Sequence, residues 1–212
     1  SQFSFRHMAY ENLYIPIIDN IIQNMDNTQK IINYLGKHKE EAFTMHELSK
    51  LTKIPYATFH RVIQSLQGIL TTSKIGKSIT LSLNYHNQVL KSHLAISSFE
   101  EKKDYLKFHP IINSIAQELN KDEIVVLFGS YAKGLERESS DMDLLIINKS
   151  GKKTINFTKY ETLFKKSINP IFVTEKEFVL MLNEPQENVG KQALKHHILL
   201  NNPESFWRLV IS

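Results

Sequence analysis

The sequence predicts a two-domain α/β protein, with helices and a β-hairpin in its N-terminal half and a small mixed sheet flanked by helices in its C-terminal half. Apolar residues recur at helical spacing in the first third of the chain, and two alternating segments then surround a Gly-containing turn at residues 74–77. Further along, apolar segments at residues 124–128 and 143–147 flank a second Gly-containing turn. With 212 residues, the chain is long enough for two small domains.

The composition is that of an ordinary globular protein, and it excludes several kinds of site. Hydrophobic residues make up 42% and charged residues 23% of the chain, and the absence of cysteine excludes disulfides and thiolate zinc sites. The apolar segment 13–22 is interrupted by Asp19 and Asn20, so we expect neither a secretory signal nor a membrane span. The His7-Met8 pair is typical of a cloning scar, so residues 1–7 are expected to be non-native. A cytoplasmic protein is therefore predicted.

The N-terminal half has the pattern of three helices followed by a hairpin. Thr44 and Glu47 have the spacing of a capping box, and Pro55 separates the second helix from the third because proline disfavours helix in the residue before it. The third helix carries one apolar stripe, formed by Phe59, Val62, Ile63 and Leu66. The helices are predicted at residues 28–37, from Thr44 and from Tyr56, and the hairpin strands at residues 69–73 and 78–83. This order is typical of a winged helix-turn-helix domain, which we expect at residues 28–86.

Charge and side-chain chemistry indicate that this first domain binds DNA. Although the chain has a net charge of only +4, residues 28–86 carry eight lysine and arginine residues against three glutamates. Arg and Gln are suited to base edges, Thr and Tyr to phosphates, and lysines at a hairpin tip to the DNA backbone. The predicted DNA-binding residues are Tyr56, Thr58, His60, Arg61, Gln64, Lys74 and Lys77. The alternative is a protein-binding module of the same kind, with these side chains merely solvated.

The remaining residues are assigned to an arm, a connector and a second domain. Residues 1–27 are expected to form an N-terminal helix or arm, and residues 87–109 a helical connector, where dimer contacts would make the protein a homodimer. The second domain, residues 110–212, is predicted to contain strands at residues 124–128, 143–147 and 168–173 and helices at residues 110–119, 175–182, 189–199 and 203–210. We expect His196 and His197 to lie at a helix surface rather than on a metal.

The turn between the first two strands of the second domain has the residues of a nucleotide and metal site. Gly129 and Ser130 follow one strand, and Asp141 and Asp143 begin the next, with ten residues between the two pairs. Glycine lets backbone N–H groups approach a phosphate closely, and Ser130 adds a hydroxyl donor. Asp141 and Asp143, two residues apart, share one face of the strand, where their mutual repulsion favours a bound cation such as Mg²⁺. Either pair alone is more often simple turn chemistry, but the two together in this order are rarely accidental.

Residues 126–144 resemble the Gly-Ser…Asp-x-Asp signature of minimal nucleotidyltransferases in the DNA polymerase β superfamily. The resemblance extends over about residues 108–200, and it implies a nucleotidyltransferase fold. It also implies that Gly129 and Ser130 hold the triphosphate of an NTP, while Asp141 and Asp143 are the catalytic ligands of Mg²⁺. Lys133 is a further candidate for a phosphate contact.

One departure from the family pattern leaves two functions open. The family has a third carboxylate on a later strand, but residues 167–173 contain no acid, and Asn169 or Pro170 stands in its place. Glu161 and Glu175 are the acids on either side. The first function is transfer of a nucleoside monophosphate to a protein or nucleic-acid hydroxyl, as in antitoxins that modify a toxin partner. The second is a transcriptional regulator with a degenerate domain that senses nucleotide or only mediates assembly.

Overall fold

The computed structural model describes residues 25–211 and shows a mixed α/β structure with two small sheets, which confirms the mixed α/β part of the predicted fold class. Most of the predicted N-terminal helix or arm, residues 1–27, lies outside the described residues. The N-terminal half contains α1 (Asn27–Lys37), β1 (Phe43–Thr44), α2 (Met45–Leu51), α3 (Tyr56–Ser65), β2 (Leu70–Ile75) and β3 (Ser78–Leu83). Three helices followed by a hairpin is thus the observed element order, while the assignment as a winged helix-turn-helix domain stays a prediction.

Local interactions explain where these elements begin. The Thr44 side chain accepts a hydrogen bond from the Glu47 N–H, and the Glu47 carboxylate accepts one from the Thr44 N–H, so the predicted capping box is present at the start of α2. Helix α3 begins directly after Pro55 and buries Phe59. Strands β2 and β3 form the predicted antiparallel hairpin, and β1 adds to β3, giving the sheet order β1-β3-β2.

The C-terminal half is built on a four-stranded mixed sheet. The predicted connector is the long helix α4 (Leu90–Phe108), followed by α5 (Pro110–Gln117). The elements after it are β4 (Ile124–Phe128), α6 (Gly129–Ala132), β5 (Met142–Asn148), α7 (Thr158–Phe164), β6 (Ile168–Thr174), α8 (Glu175–Asn183), α9 (Val189–Lys195), β7 (Ile198–Asn201) and α10 (Pro203–Val210). The sheet order is β6-β5-β4-β7, with β5 and β6 parallel and the other pairs antiparallel.

The helix predicted over residues 189–199 is wrong in its last part. Helix α9 ends at Lys195, and residues 198–201 are strand β7, which pairs with β4 along the edge of the sheet. Periodicity does not distinguish a strand from a helix in a short apolar run. Pairing with β4 is therefore what makes these residues a strand. His197 is completely buried between α9 and β7, so its predicted place at a helix surface is also wrong. Helices α6 and α7 were not predicted.

The two halves of the chain share apolar packing. One cluster of buried side chains continues from Ile31 and Leu35 of α1, through Leu94 of α4, to Leu145 of β5 and Trp207 of α10. Polar groups cross the same junction: the Lys37 ammonium lies 2.6 Å from the Glu101 carboxylate and donates to the His197 carbonyl, while the Trp207 indole donates to the Ser98 hydroxyl. A second cluster, which includes Tyr105 and Ile112, covers the opposite face of the four-stranded sheet.

Candidate active site

The register of the four-stranded sheet places the acidic pair opposite the Gly-Ser turn. Phe128, the last residue of β4, is paired with Asp143 of β5, and Asp143 is paired with Asn169 of β6. Residues paired across adjacent strands project from the same face of a sheet, and Asp141, two residues before Asp143, belongs to that face as well. The sheet therefore brings together the predicted residues Gly129, Asp141 and Asp143 at one strand end.

Gly129 lies so close to Asp143 that no other residue fits in the observed geometry. Its φ of 70° is in the left-handed region, and an added Cβ would lie 2.1 Å from Oδ2 of Asp143. Ordinary van der Waals contact begins at 3.4 Å, so a side chain at residue 129 would displace the carboxylate. The glycine thus allows the backbone turn and the acidic side chain to occupy the same small space.

Residues 129–135 form a tight turn that starts with the one-turn helix α6. The Ser130 carbonyl accepts hydrogen bonds from the N–H groups of Lys133 and Leu135, so the chain folds back directly after the Gly-Ser pair. The first N–H groups of a helix have no partner within it, and this turn therefore carries backbone N–H groups of the kind that the sequence analysis expects to contact phosphate, together with the Ser130 hydroxyl. Ser130 is half-buried.

Side chains of α4 and of His109, the residue after it, pack against this turn. The buried Tyr105 hydroxyl donates to the Tyr131 carbonyl at 3.1 Å, and the His109 ring stacks on the Tyr105 ring with centroids 3.8 Å apart. His109 Nε2 lies 3.2 Å from a carboxylate oxygen of Glu136, which follows the turn. Sequence reasoning missed this support because residues 105 and 131 are far apart in the chain and belong to no shared motif.

Asn169 is a third polar side chain at this strand end, next to Asp141 and Asp143. Its Nδ2 lies 3.3 Å from Oδ2 of Asp141 and 3.5 Å from Oδ1 of Asp143, so one amide group approaches both carboxylates. Within residues 25–211, neither aspartate forms an ion pair with a Lys, Arg or His side chain. Two carboxylates without a basic partner suit Mg²⁺, which prefers oxygen ligands and is commonly held by one or two carboxylates together with substrate phosphates.

Neither of the neighbouring acids replaces the missing carboxylate. The Glu161 carboxylate accepts a hydrogen bond from the Ile168 N–H, and Glu175 pairs with Arg208 at 2.9 Å, beyond the far end of β6. Over the part of the chain that the structure describes, no group of three or more His, Asp or Glu side chains is arranged to hold a metal ion. The site therefore has two carboxylates. Of the two residues expected in place of the third, Asn169 and Pro170, it is Asn169 whose amide lies beside them.

The surroundings of the site include both signs of charge. Burial raises the pKa of Tyr131, and the negative charges of Glu136 and Asp141 raise it further. The predicted phosphate contact Lys133 is exposed. Burial lowers the pKa of His196 to about 3, and the positive charge of Lys133 lowers this pKa further.

The residues predicted to bind DNA lie on α3 and on the hairpin, away from the apolar stripe. Tyr56, His60, Arg61 and Gln64 of α3 are exposed, and Thr58 is half-buried. Lys74 and Lys77 are exposed beside Gly76, where β2 turns into β3. Their accessibility leaves them free to contact a partner, and DNA as that partner stays a prediction.

Comparison with known proteins supports the assignment of the C-terminal half. Residues 110–200 match the family model described as "Nucleotidyltransferase domain". A segment of 122 residues is 29% identical to the "Chromatin structure-remodeling complex protein RSC3" of Saccharomyces cerevisiae, covering 55% of this chain and 13% of that protein's length. No solved structure matches the chain. In residues 25–211, no helix combines the length and apolarity that crossing a membrane requires.

Proposed function

We propose, on the premise of a nucleotidyltransferase domain at residues 110–200, that this protein binds an NTP together with Mg²⁺ and transfers its nucleoside monophosphate to a protein or nucleic-acid hydroxyl. Gly129, Ser130 and Lys133 would contact the triphosphate, and Asp141 and Asp143 would hold the metal. A protein acceptor of this kind, such as a toxin partner, would make the chain an antitoxin.

The close contact between Gly129 and Asp143 is the observation that carries this proposal. Phosphate-binding backbone groups and metal-binding carboxylates must be adjacent if one ion is to bridge protein and phosphates. A Cβ built on Gly129 would lie 2.1 Å from Oδ2 of Asp143, so the turn and the carboxylate are directly adjacent.

The chemistry proposed for the site is a substitution at the α-phosphorus of the NTP. The acceptor hydroxyl oxygen forms a bond to the α-phosphorus, the bond from that phosphorus to the bridging oxygen breaks, and pyrophosphate leaves with the electron pair. The hydroxyl proton passes to water, since the described residues place no third carboxylate beside the aspartates. A bound Mg²⁺ would neutralise part of the phosphate charge, and the turn and the carboxylates would orient the triphosphate.

Label transfer tests the reaction directly. The protein is incubated with Mg²⁺ and α-³²P-labelled NTPs, alone and with co-purified proteins, tRNA and genomic DNA as acceptors. We expect label on an acceptor with wild type and none with the Asp141→Ala/Asp143→Ala double variant. An Asp122→Ala variant, altered at an exposed acid before β4, serves as the matched control and should retain transfer. Lack of transfer by the wild type to every acceptor would exclude the transferase.

A second function, nucleotide sensing by a DNA-binding regulator, is favoured by Asn169. An amide cannot accept the proton of an attacking hydroxyl as a carboxylate can, so nucleotide binding would persist while transfer is slow. The same experiment separates the two functions, because binding of Mg²⁺-NTP without label transfer indicates the sensor. In that case nucleotide should change DNA affinity, since the apolar packing is continuous between the two halves.

Both functions include DNA binding by the N-terminal half, which we propose on the strength of its basic composition and its exposed α3 side chains. Arg61→Ala should weaken a gel shift with genomic fragments by about tenfold, because a good Arg contact to a base contributes about 1–3 kcal/mol. Arg208→Ala, which removes an exposed arginine from α10, is the matched control and should leave the shift unchanged. No shift with any fragment would indicate a protein-binding module instead.

A further inference from the structure

We propose that Asn169 limits the active site to one divalent cation and that its side chain takes part in holding that ion. The inference rests on the proposed function, since it concerns the metal that would accompany the nucleotide. It follows from the position of the amide, its distances to the two carboxylates and the charge of the group.

The position of Asn169 is fixed by the sheet. Parallel pairing of β5 with β6 puts Asn169 opposite Asp143, so their side chains project from the same face. The next residue, Pro170, is opposite Leu144, whose side chain belongs to the buried cluster on the other face of the sheet. Of Asn169 and Pro170, the two candidates for the place of the missing carboxylate, only Asn169 therefore projects from the same face as the aspartates.

The distances show how the amide contacts the two carboxylates. Nδ2 of Asn169 lies 3.3 Å from Asp141 and 3.5 Å from Asp143, and an amide N–H₂ group has two donors, one for each carboxylate. These donors reduce the repulsion between the two negative charges. The amide oxygen and nitrogen are nearly the same size, so a half turn of the amide would present an oxygen to a cation between the carboxylates.

The charges of these side chains then determine how many divalent cations the site holds. Two carboxylates neutralise one divalent cation, and the amide adds an oxygen ligand without adding charge. A second cation would lack a third protein carboxylate, because among the described residues no group of three or more His, Asp or Glu side chains is arranged to hold a metal ion. Asn169→Asp adds the missing charge at the residue that already faces both aspartates.

Manganese counting tests the proposal, because Mn²⁺ replaces Mg²⁺ at oxygen sites and free Mn²⁺ has a strong EPR signal. The complex with an NTP analogue that carries a methylene between its α- and β-phosphorus is titrated with Mn²⁺. We expect one ion per complex in the wild type and two in Asn169→Asp. Asn169→Ala should bind one ion about tenfold more weakly, since a metal-site partner is lost. Asn120→Asp, which adds the same charge at an exposed residue before β4, should bind one.

Melting without metal provides a second measurement. With EDTA, Asn169→Asp should melt about 2–4 °C below wild type, because a third carboxylate repels the other two, and Mn²⁺ should remove the difference. Asn120→Asp should melt like the wild type in both conditions. A folded Asn169→Asp that binds one ion, or a wild type that binds two, overturns this inference while leaving the proposed function intact. A wild type that binds the analogue with no ion overturns both.

Discussion

Alanine substitutions at Gly129 and at Gly76 together separate two effects. One is the strain of an L-residue in the left-handed region, and the other is the contact between Gly129 and Asp143. Gly129 has a φ of 70°, and Gly76 at the hairpin tip has a φ of 61°. An alanine at either residue costs about 1–2 kcal/mol, because L-residues are strained in the left-handed region. For a chain of this size we expect both variants to melt about 2–8 °C below wild type.

The two variants differ in what the new methyl group meets. Around Gly76 nothing lies within 4 Å of the added Cβ, whereas at Gly129 the Cβ would lie 2.1 Å from Oδ2 of Asp143. The carboxylate, at the free end of a side chain, must move by more than about 1 Å, at little cost in stability. A metal site tolerates ligand errors of only about 0.2 Å, so we expect Mg²⁺-dependent nucleotide binding to weaken by about 100-fold in Gly129→Ala alone.

Calorimetric titration with Mg²⁺-ATP and thermal melting of the same samples measure both effects. Gly76→Ala should bind like the wild type, and Gly129→Ala should bind about 100-fold more weakly at a similar melting temperature. Wild-type affinity in a folded Gly129→Ala would refute the reasoning, because it would mean that the contact with Asp143 does not shape the site. An equal loss of binding in Gly76→Ala would refute it as well.

Three further predictions concern the interior. Burial, followed by the charge of Lys37, lowers the pKa of His197 well below its usual value, so this ring is neutral in the folded protein. The unfolded chain takes up a proton below pH about 6.5, so stability falls with acidification by about 1.4 kcal/mol per pH unit, and His197→Phe should remove that part of the slope in urea unfolding. Lys37→Ala leaves the buried Glu101 carboxylate without its cation and should cost about 3–5 kcal/mol in the same assay. Tyr105→Phe loses the hydrogen bond to the Tyr131 carbonyl, so it should cost about 1 kcal/mol and weaken Mg²⁺-ATP binding a few-fold.

Each of these predictions has a control and a contradicting outcome. An unchanged pH slope in His197→Phe would show that the buried ring does not titrate on unfolding. Lys103→Ala removes an exposed partner of Glu100 and should cost less than about 1 kcal/mol, so equal losses for Lys37→Ala and Lys103→Ala would contradict the buried pair. Tyr160→Phe, which removes the same hydroxyl from a tyrosine of α7, should not weaken nucleotide binding. Equal binding by Tyr105→Phe and wild type would remove the role assigned to α4.

Local signals were sufficient to predict most elements and the acidic pair. These signals are the capping box at Thr44, Pro55 before α3 and the apolar run of β4. Each determines the structure of only a few neighbouring residues, so a short stretch of sequence is enough to predict that structure. Gly129 and Asp143 were predictable for a related reason, since a short connection between antiparallel neighbours keeps the strand ends together.

Features that depend on distant pairing were not predictable. Strand β7 forms because its residues pair with the edge of β4. The apolar sequence of residues 198–200 does not by itself indicate that such an edge is present. The choice between Asn169 and Pro170 needed the parallel register of β5 and β6. The support of the turn by Tyr105 depends on the path of α4 across the sheet, which no motif encodes.

Calorimetric titration of ATP into the wild type and Asp143→Asn, each in Mg²⁺ and in EDTA, is the most direct test of a nucleotide site built on Gly129 and the two aspartates. We expect binding by the wild type in Mg²⁺, none in EDTA, and binding at least about tenfold weaker in Asp143→Asn, because one of the two carboxylates that hold the cation has lost its charge. Equal affinity in Mg²⁺ and EDTA, or equal affinity of the two proteins, would contradict a metal-dependent nucleotide site at this strand end.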